Sequence, residues 1–128
     1  MKFILDTQLI LWAANDDKRL SPSVVELIEE PTNTPVFSAA SLWEVAIKQG
    51  LRREDFLADV ARLRRNLTES GYEELPVLSL HALALVDLPS IHKDPFDRIL
   101  VAQARAEGLL LLTADRVLAD YPGPIRLV

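Results

Sequence analysis

The sequence predicts an α/β protein with a mostly parallel central sheet covered by helices on both faces. Short apolar runs that read as strands alternate with longer amphipathic segments that read as helices, as crossover connections require. The run Leu109–Leu112 is four consecutive leucines, which suits a strand buried on both sides. Serine, aspartate and glycine stand at most of the junctions, where helix caps and stops belong.

Lys2–Leu5 reads as a buried strand ending at Asp6, and Thr7–Ala14 is too continuously apolar for an alternating strand, so it reads as a helix. Ser21-Pro22 opens a second helix whose stripe is Val24, Val25, Leu27 and Ile28. After a turn over Pro31–Pro35, Val36-Phe37 is a second strand, and Ser38 or Ser41 opens a helix that Gly50 closes. A longer helix is predicted from about Glu54 to Ser70, with Phe56, Leu57, Val60, Leu63 and Leu67 facing inward. Leu75–Leu78 is read as the third strand, with Ser79 capping a helix to about Val86. A loop runs from Leu88 to Asp94-Pro95, and a helix from there ends at Gly108. Leu109–Thr113, a short helix over Ala114–Ala119 and a strand at Ile125–Val128 complete the chain.

With 128 residues, the chain fits one domain spanning 1–128 and can bury about two-thirds of its unfolded surface. The absence of cysteine excludes disulfides, thiolate catalysis and cysteine-held zinc. The longest apolar run, Leu9–Ala14, is far short of the roughly 20 residues of a membrane helix, and Asp6 interrupts any secretory segment, so a cytoplasmic protein is expected. A net charge of −5 argues against a protein that coats nucleic acid. Between Lys48 and Arg65, however, six bases face three acids, leaving that segment at +3 and the remainder at −8. This segment is either a solvated, ion-paired helix face or a basic rim beside an acidic centre, with Lys48, Arg52 and Arg53 placed to meet a phosphate backbone.

Four acids stand where strands end or the next helices begin: Asp6, Glu44, Asp97 and Asp115. In an open parallel sheet those points share one edge, where ligands bind. Carboxylates gathered there repel unless a cation compensates, and hard divalent ions take oxygen ligands. Each acid also has a structural role open to it. Asp6 and Asp115 suit helix N-caps, Ser41 with Glu44 fits a capping box, and Asp94-Pro95-Phe96-Asp97 reads as cap, first-turn proline and dipole-matched acid. His81 and both tryptophans, Trp12 and Trp43, read as core, and His92 reads as a solvated loop residue. No phosphate-cradling glycine motif and no Ser-His-Asp spacing is present.

Four segments, Phe3–Thr7, Ser38–Lys48, Asp94–Ala104 and Leu112–Asp115, together resemble PIN-domain ribonucleases, in particular VapC-type toxins of toxin–antitoxin systems. The likeness covers essentially the whole chain in the right order. It implies a three-layer α/β/α fold on a roughly five-stranded sheet and a Mg2+- or Mn2+-dependent endoribonuclease, usually a dimer. It also implies neutralisation by a VapB-type antitoxin, with DNA reached only through that partner. Asp6, Glu44, Asp97 and Asp115 match the family's acids in order and become the expected metal ligands and catalytic residues. Asp94 matches an additional acid and looks more like a cap, while Gln8 replaces a histidine common in the subgroup. Thr113 matches a hydroxyl beside the fourth acid and is expected to orient a carboxylate or water, or to meet substrate. The expectation is hydrolysis of an RNA phosphodiester to 5′-phosphate and 3′-hydroxyl ends; the competing reading is a PIN-like module that binds RNA or protein without cleaving.

Overall fold

The computed structural model describes residues 1–50 and 57–128. Five strands, β1 (Lys2–Leu5), β2 (Thr34–Ser38), β3 (Glu73–Leu75), β4 (Leu110–Thr113) and β5 (Ile125–Leu127), form one sheet in the order β3-β2-β1-β4-β5, and every pairing is parallel. The helices among the described residues are α1 (Thr7–Ala14), α2 (Pro22–Glu29), α3 (Ala39–Gly50), α4 (Leu57–Glu69), α5 (Ser79–Ala84), α6 (Pro95–Glu107) and α7 (Arg116–Ala119), with a 3₁₀ turn at Leu85–Asp87.

The alternation of strand side chains builds two cores. Phe3, Leu5, Phe37 and Leu112 point to one face, where Leu9, Val24, Val45 and Leu67 of α1 to α4 meet them. Ile4, Val36 and Leu111 point to the other face and pack on Leu100, Val101 and Ala104 of α6 and Leu118 of α7. A strand buried on both faces reads as a continuous apolar run, which is why Phe3–Leu5 and Leu110–Leu112 show no period-two pattern. The expected three layers are present. The strand order reverses at β1, so the crevice beyond the carboxyl ends of β1 and β4 is the topological switch point.

Several boundaries differ from expectation. The third strand is Glu73–Leu75, not Leu75–Leu78, because Pro76 has no N–H for a ladder and ends the pairing. As a half-covered edge strand it exposes Glu73, so it carries no apolar signature. Ser79 does not cap α5; the cap position is Leu78, whose N–H donates to His81 Nδ1 at 3.0 Å. His81 is fully buried, as expected, with its Nε2 3.0 Å from Glu107. Ser38, not Ser41, opens α3, its hydroxyl accepting from the Ala40 N–H at 3.0 Å. Ser41 therefore lies inside the helix and the capping box with Glu44 does not form. Trp43, expected in the core, is 61% exposed and meets Phe96 edge-on, ring centres 5.0 Å apart. Trp12 is partly buried against the first core. Gly108 stops α6 with φ +66°, a conformation costly for any residue with a Cβ. The expected helix start at Glu54 and inward Phe56 lie outside the described residues.

A buried polar lattice ties β2 to α5 and α6. Ser38 Oγ donates to Gln103 Oε1 at 2.6 Å, and Gln103 Nε2 reaches the Pro76 carbonyl at 3.2 Å and His81 Nδ1 at 3.3 Å. With Ser38, His81 and Gln103 all fully buried, this lattice fixes the helix that carries Asp97 against the sheet.

Candidate metal centre

At the switch point a cleft of about 550 Å³ is lined by five carboxylates, Asp6, Glu44, Asp94, Asp97 and Asp115, and one ammonium, Lys48. Asp6 follows β1 directly. Its Oδ1 accepts from the Leu9 N–H at 2.9 Å, capping α1, and its Oδ2 accepts from Thr113 Oγ1 at 2.5 Å. Burial pushes its carboxyl above the usual aspartate value, against the lowering effect of those hydrogen bonds.

Glu44 reaches the cleft from α3. Its Oε1 lies 2.7 Å from Thr7 Oγ1, which is also 2.9 Å from Ser41 Oγ. The Thr7 hydroxyl has one proton to give, so it donates to the carboxylate and accepts from Ser41. Its Oε2 holds Lys48 Nζ at 2.5 Å, one turn along the same helix. Asp94 caps α6 through Oδ1, 2.8 Å from the Phe96 N–H, and its Oδ2 stands 3.7 Å from Lys48 Nζ. Asp115 caps α7 through Oδ1, 2.9 Å from the Val117 N–H. Capping and lining the cleft are thus not rival roles: in Asp6, Asp94 and Asp115 one oxygen caps a helix and the second is left for other partners.

Asp97, in the first turn of α6, is the most perturbed of the five. Burial, then the charges of Asp94 and Glu44, push its carboxyl up to about 7, with His92 opposing and Asp115 adding to the rise. Lys48, held by Glu44, has its ammonium stabilised. One ammonium among five carboxylates leaves the cleft short of positive charge. All five are hard oxygen donors, the set that Mg2+ or Mn2+ takes, so the residues fit such an ion.

All four acids expected from the sequence line this cleft. Thr113 is fully buried, its hydroxyl donating to Asp6 Oδ2 and accepting from the Asp115 backbone N–H at 2.9 Å, so it holds the Asp6 carboxylate and has no surface open to a substrate. Arg52 and Arg53 lie outside the described residues. His92, read from sequence as a solvated loop residue, is corrected: its Nε2 stands 3.3 Å from Asp97 Oδ2 and 3.4 Å from Asp115 Oδ2. Ligand-type atoms of His92, Asp97 and Asp115 lie within 4.8 Å of one another. The available signal was its place two residues before the helix-capping Asp94.

The family profile of the PIN domain matches residues 3–124. Among solved structures, the chain is similar to VapBC2 from Rickettsia felis bound to a DNA fragment from its promoter, at 16% identity and TM-score 0.74, covering 99% of this chain and 98% of that one. It is also similar to DNA-bound VapBC from Salmonella typhimurium, at 18% identity and TM-score 0.72, covering 98% and 97%. A third likeness is to VapBC-1 from nontypeable Haemophilus influenzae, at 18% identity and TM-score 0.67, covering 99% and 98%. At these identities the likeness is one of fold. No curated protein matches the sequence significantly. Among the described residues, no helix is long and apolar enough to cross a membrane.

Proposed function

The chain belongs to the PIN-domain family, and from that premise we propose that it is a divalent-metal-dependent endoribonuclease, the toxin of a toxin–antitoxin pair restrained by a VapB-type antitoxin. The observation that carries the reading is the convergence of five carboxylates on one cleft at the sheet's switch point. In this reading Asp6, Glu44, Asp97 and Asp115 hold Mg2+ or Mn2+, and Asp94 stays a cap. The ion supplies Lewis acidity toward an RNA phosphodiester when bound. Thr7 and Thr113 fix the ligand oxygens, and Lys48, half-exposed at the rim, is placed to meet a backbone phosphate. Arg52 and Arg53 are proposed as further contacts to the RNA backbone.

The partner assignments draw support from three features. The VapBC structures of similar fold are toxin–antitoxin complexes by name. The chain also exposes Val77, Leu78, Leu80, Leu83 and Val86, an apolar strip suited to a protein interface, and we assign it to a homodimer. The chain's net charge of −5 agrees with DNA contact being left to the antitoxin.

The test is cleavage of purified RNA with Mg2+, with Mn2+ and with chelator, beside Asp97→Asn. Metal-dependent cleavage lost in the variant is the expected result. Cleavage that survives both chelator and Asp97→Asn would overturn the assignment. Tight RNA binding without cleavage in either metal would establish the binding-module reading instead.

A further inference from the structure

His92 lies in a loop, its ring tied at Nδ1 to the backbone and its Nε2 turned toward two carboxylates. Nδ1 lies 3.0 Å from the backbone N of Asp94, which can only donate, so Nδ1 is an acceptor and carries no proton. With Nδ1 bare, the ring's N–H is on Nε2, facing Asp97 Oδ2 at 3.3 Å and Asp115 Oδ2 at 3.4 Å. Flipping the ring would place carbon atoms against the Asp94 amide and both carboxylates, so the network selects this orientation.

The loop beneath the ring is fastened as well. The buried Tyr121 hydroxyl accepts from the His92 N–H at 2.8 Å and donates to the His92 carbonyl at 3.1 Å. Arg98 Nη1 donates to the same hydroxyl at 3.1 Å and to the Pro89 carbonyl at 2.9 Å. One tyrosine therefore grips the histidine's backbone from both sides, while α6 supplies Arg98 to hold the tyrosine.

We propose that His92 is a positioning residue whose Nε2–H spans Asp97 and Asp115, and that it is not itself a ligand, so the protein donors of the centre are all oxygen. The inference rests on the reading that Asp97 and Asp115 hold a metal ion. Proximity alone would make His92 a third ligand beside them, because the three donor-type atoms form a compact group. The proton on Nε2 decides otherwise. Presenting that lone pair to a cation would require moving the proton to Nδ1, where it would oppose the Asp94 N–H. Aspartates arriving from two different helices instead receive one shared donor, which sets the orientation of both. An all-oxygen protein set also treats Mg2+ and Mn2+ alike in ligand type, whereas a nitrogen donor would tilt the site toward later transition metals.

The test uses the full chain, alone and with Mn2+. Imidazole nitrogen shifts of the metal-free protein are expected to show Nδ1 bare and Nε2 protonated; the opposite tautomer would overturn the proposal with no variant needed. Electron spin-echo spectra of the Mn2+-loaded protein are expected to lack the modulation of a directly bonded imidazole nitrogen, and its presence would show His92 to be a ligand. His92→Ala is expected to weaken Mn2+ binding by about ten- to a hundredfold, as loss of a partner behind a ligand does. His92→Gln, whose amide N–H reaches the position of Nε2, is expected to recover most of that loss. Alanine binding as tightly as wild type sinks this inference alone. A wild-type chain that takes up no Mn2+ sinks the metal-centre reading and this inference with it.

Discussion

Asp97→Asn separates what the cleft costs the fold from what it gives the function. In the metal-free protein the Asp97 carboxyl keeps its proton up to about 7, while in the unfolded chain it ionises from its ordinary 3.8. The folded state therefore binds the extra proton between about pH 4 and pH 7, and stability falls as pH rises through that window. At 1.4 kcal/mol for each pH unit separating the two values, the upper limit is about 4 kcal/mol. The side chain keeps 19% exposure, and water screening there makes ~2 kcal/mol the figure to carry. Asparagine has the same shape and no charge to bury, so in chelator at pH 8 the variant should be the more stable protein. For a chain of this size ~2 kcal/mol corresponds to a rise in Tm of about 8 °C. The gain should shrink steadily as the pH is lowered toward 4. Mn2+ or Mg2+ should reverse the order, since a ligand of the folded state at a hundred times its Kd adds about 2.7 kcal/mol to wild type and little to the variant. Thermal unfolding followed by circular dichroism at pH 5, 6.5 and 8, with chelator and with metal, measures both. A variant no more stable than wild type in chelator at pH 8 would refute the account of Asp97 as a carboxyl raised by burial and by the charges of Asp94 and Glu44.

Thr113→Val removes the hydroxyl that serves Asp6 while keeping the shape, and should weaken divalent-metal affinity about tenfold by calorimetry, with a stability cost of about 1–2 kcal/mol. Wild-type metal affinity in that variant would show Thr113 to be packing alone. Gln103→Leu leaves the Ser38 hydroxyl and the Pro76 carbonyl without their partner, and should cost about 1–3 kcal/mol in urea denaturation; a cost near zero would mean the lattice is replaceable by apolar packing. Leu83→Asp, on the exposed strip, should shift a dimer to monomer in light scattering without lowering the Tm of the monomer. An unchanged molar mass would move the dimer surface elsewhere.

What was legible in the sequence follows from which forces act locally. Caps are local: Asp6, Asp94 and Gly108 mark their helix ends because the groups they satisfy lie within four residues. Deep burial is nearly local too, and the runs at Phe3–Leu5 and Leu110–Leu112 announced the central strands. The edge strand was misplaced because its pairing is supplied by β2, and half of its surface belongs to solvent. Trp43 misled for a related reason. Helical periodicity places a side chain on a face but does not say whether that face is covered, and here Trp43 is left 61% exposed.

The site shows the same division. Strand ends and helix starts in a parallel sheet lie on one edge by construction, so the rule for sheet topology was enough to gather Asp6, Glu44, Asp97 and Asp115 without any measured distance. The rule also explains why each acid looked ambiguous. A position beyond a strand and ahead of a helix is where a cap is needed and where a ligand site forms, and an aspartate has two oxygens, one for each. Capping a helix and lining the cleft are therefore compatible in Asp6 and Asp115, whose capping oxygens are the Oδ1 atoms. What topology could not supply was the imidazole between two of the acids. His92 sits on a loop, its ring is set by an amide two residues on, and its backbone is set by Tyr121, twenty-nine residues away in the chain. No periodicity or composition carries that relation, because it arises only when the loop, α6 and the segment after α7 are already packed. A search for such residues in related chains is better run on polar partners of the acids than on the acids themselves.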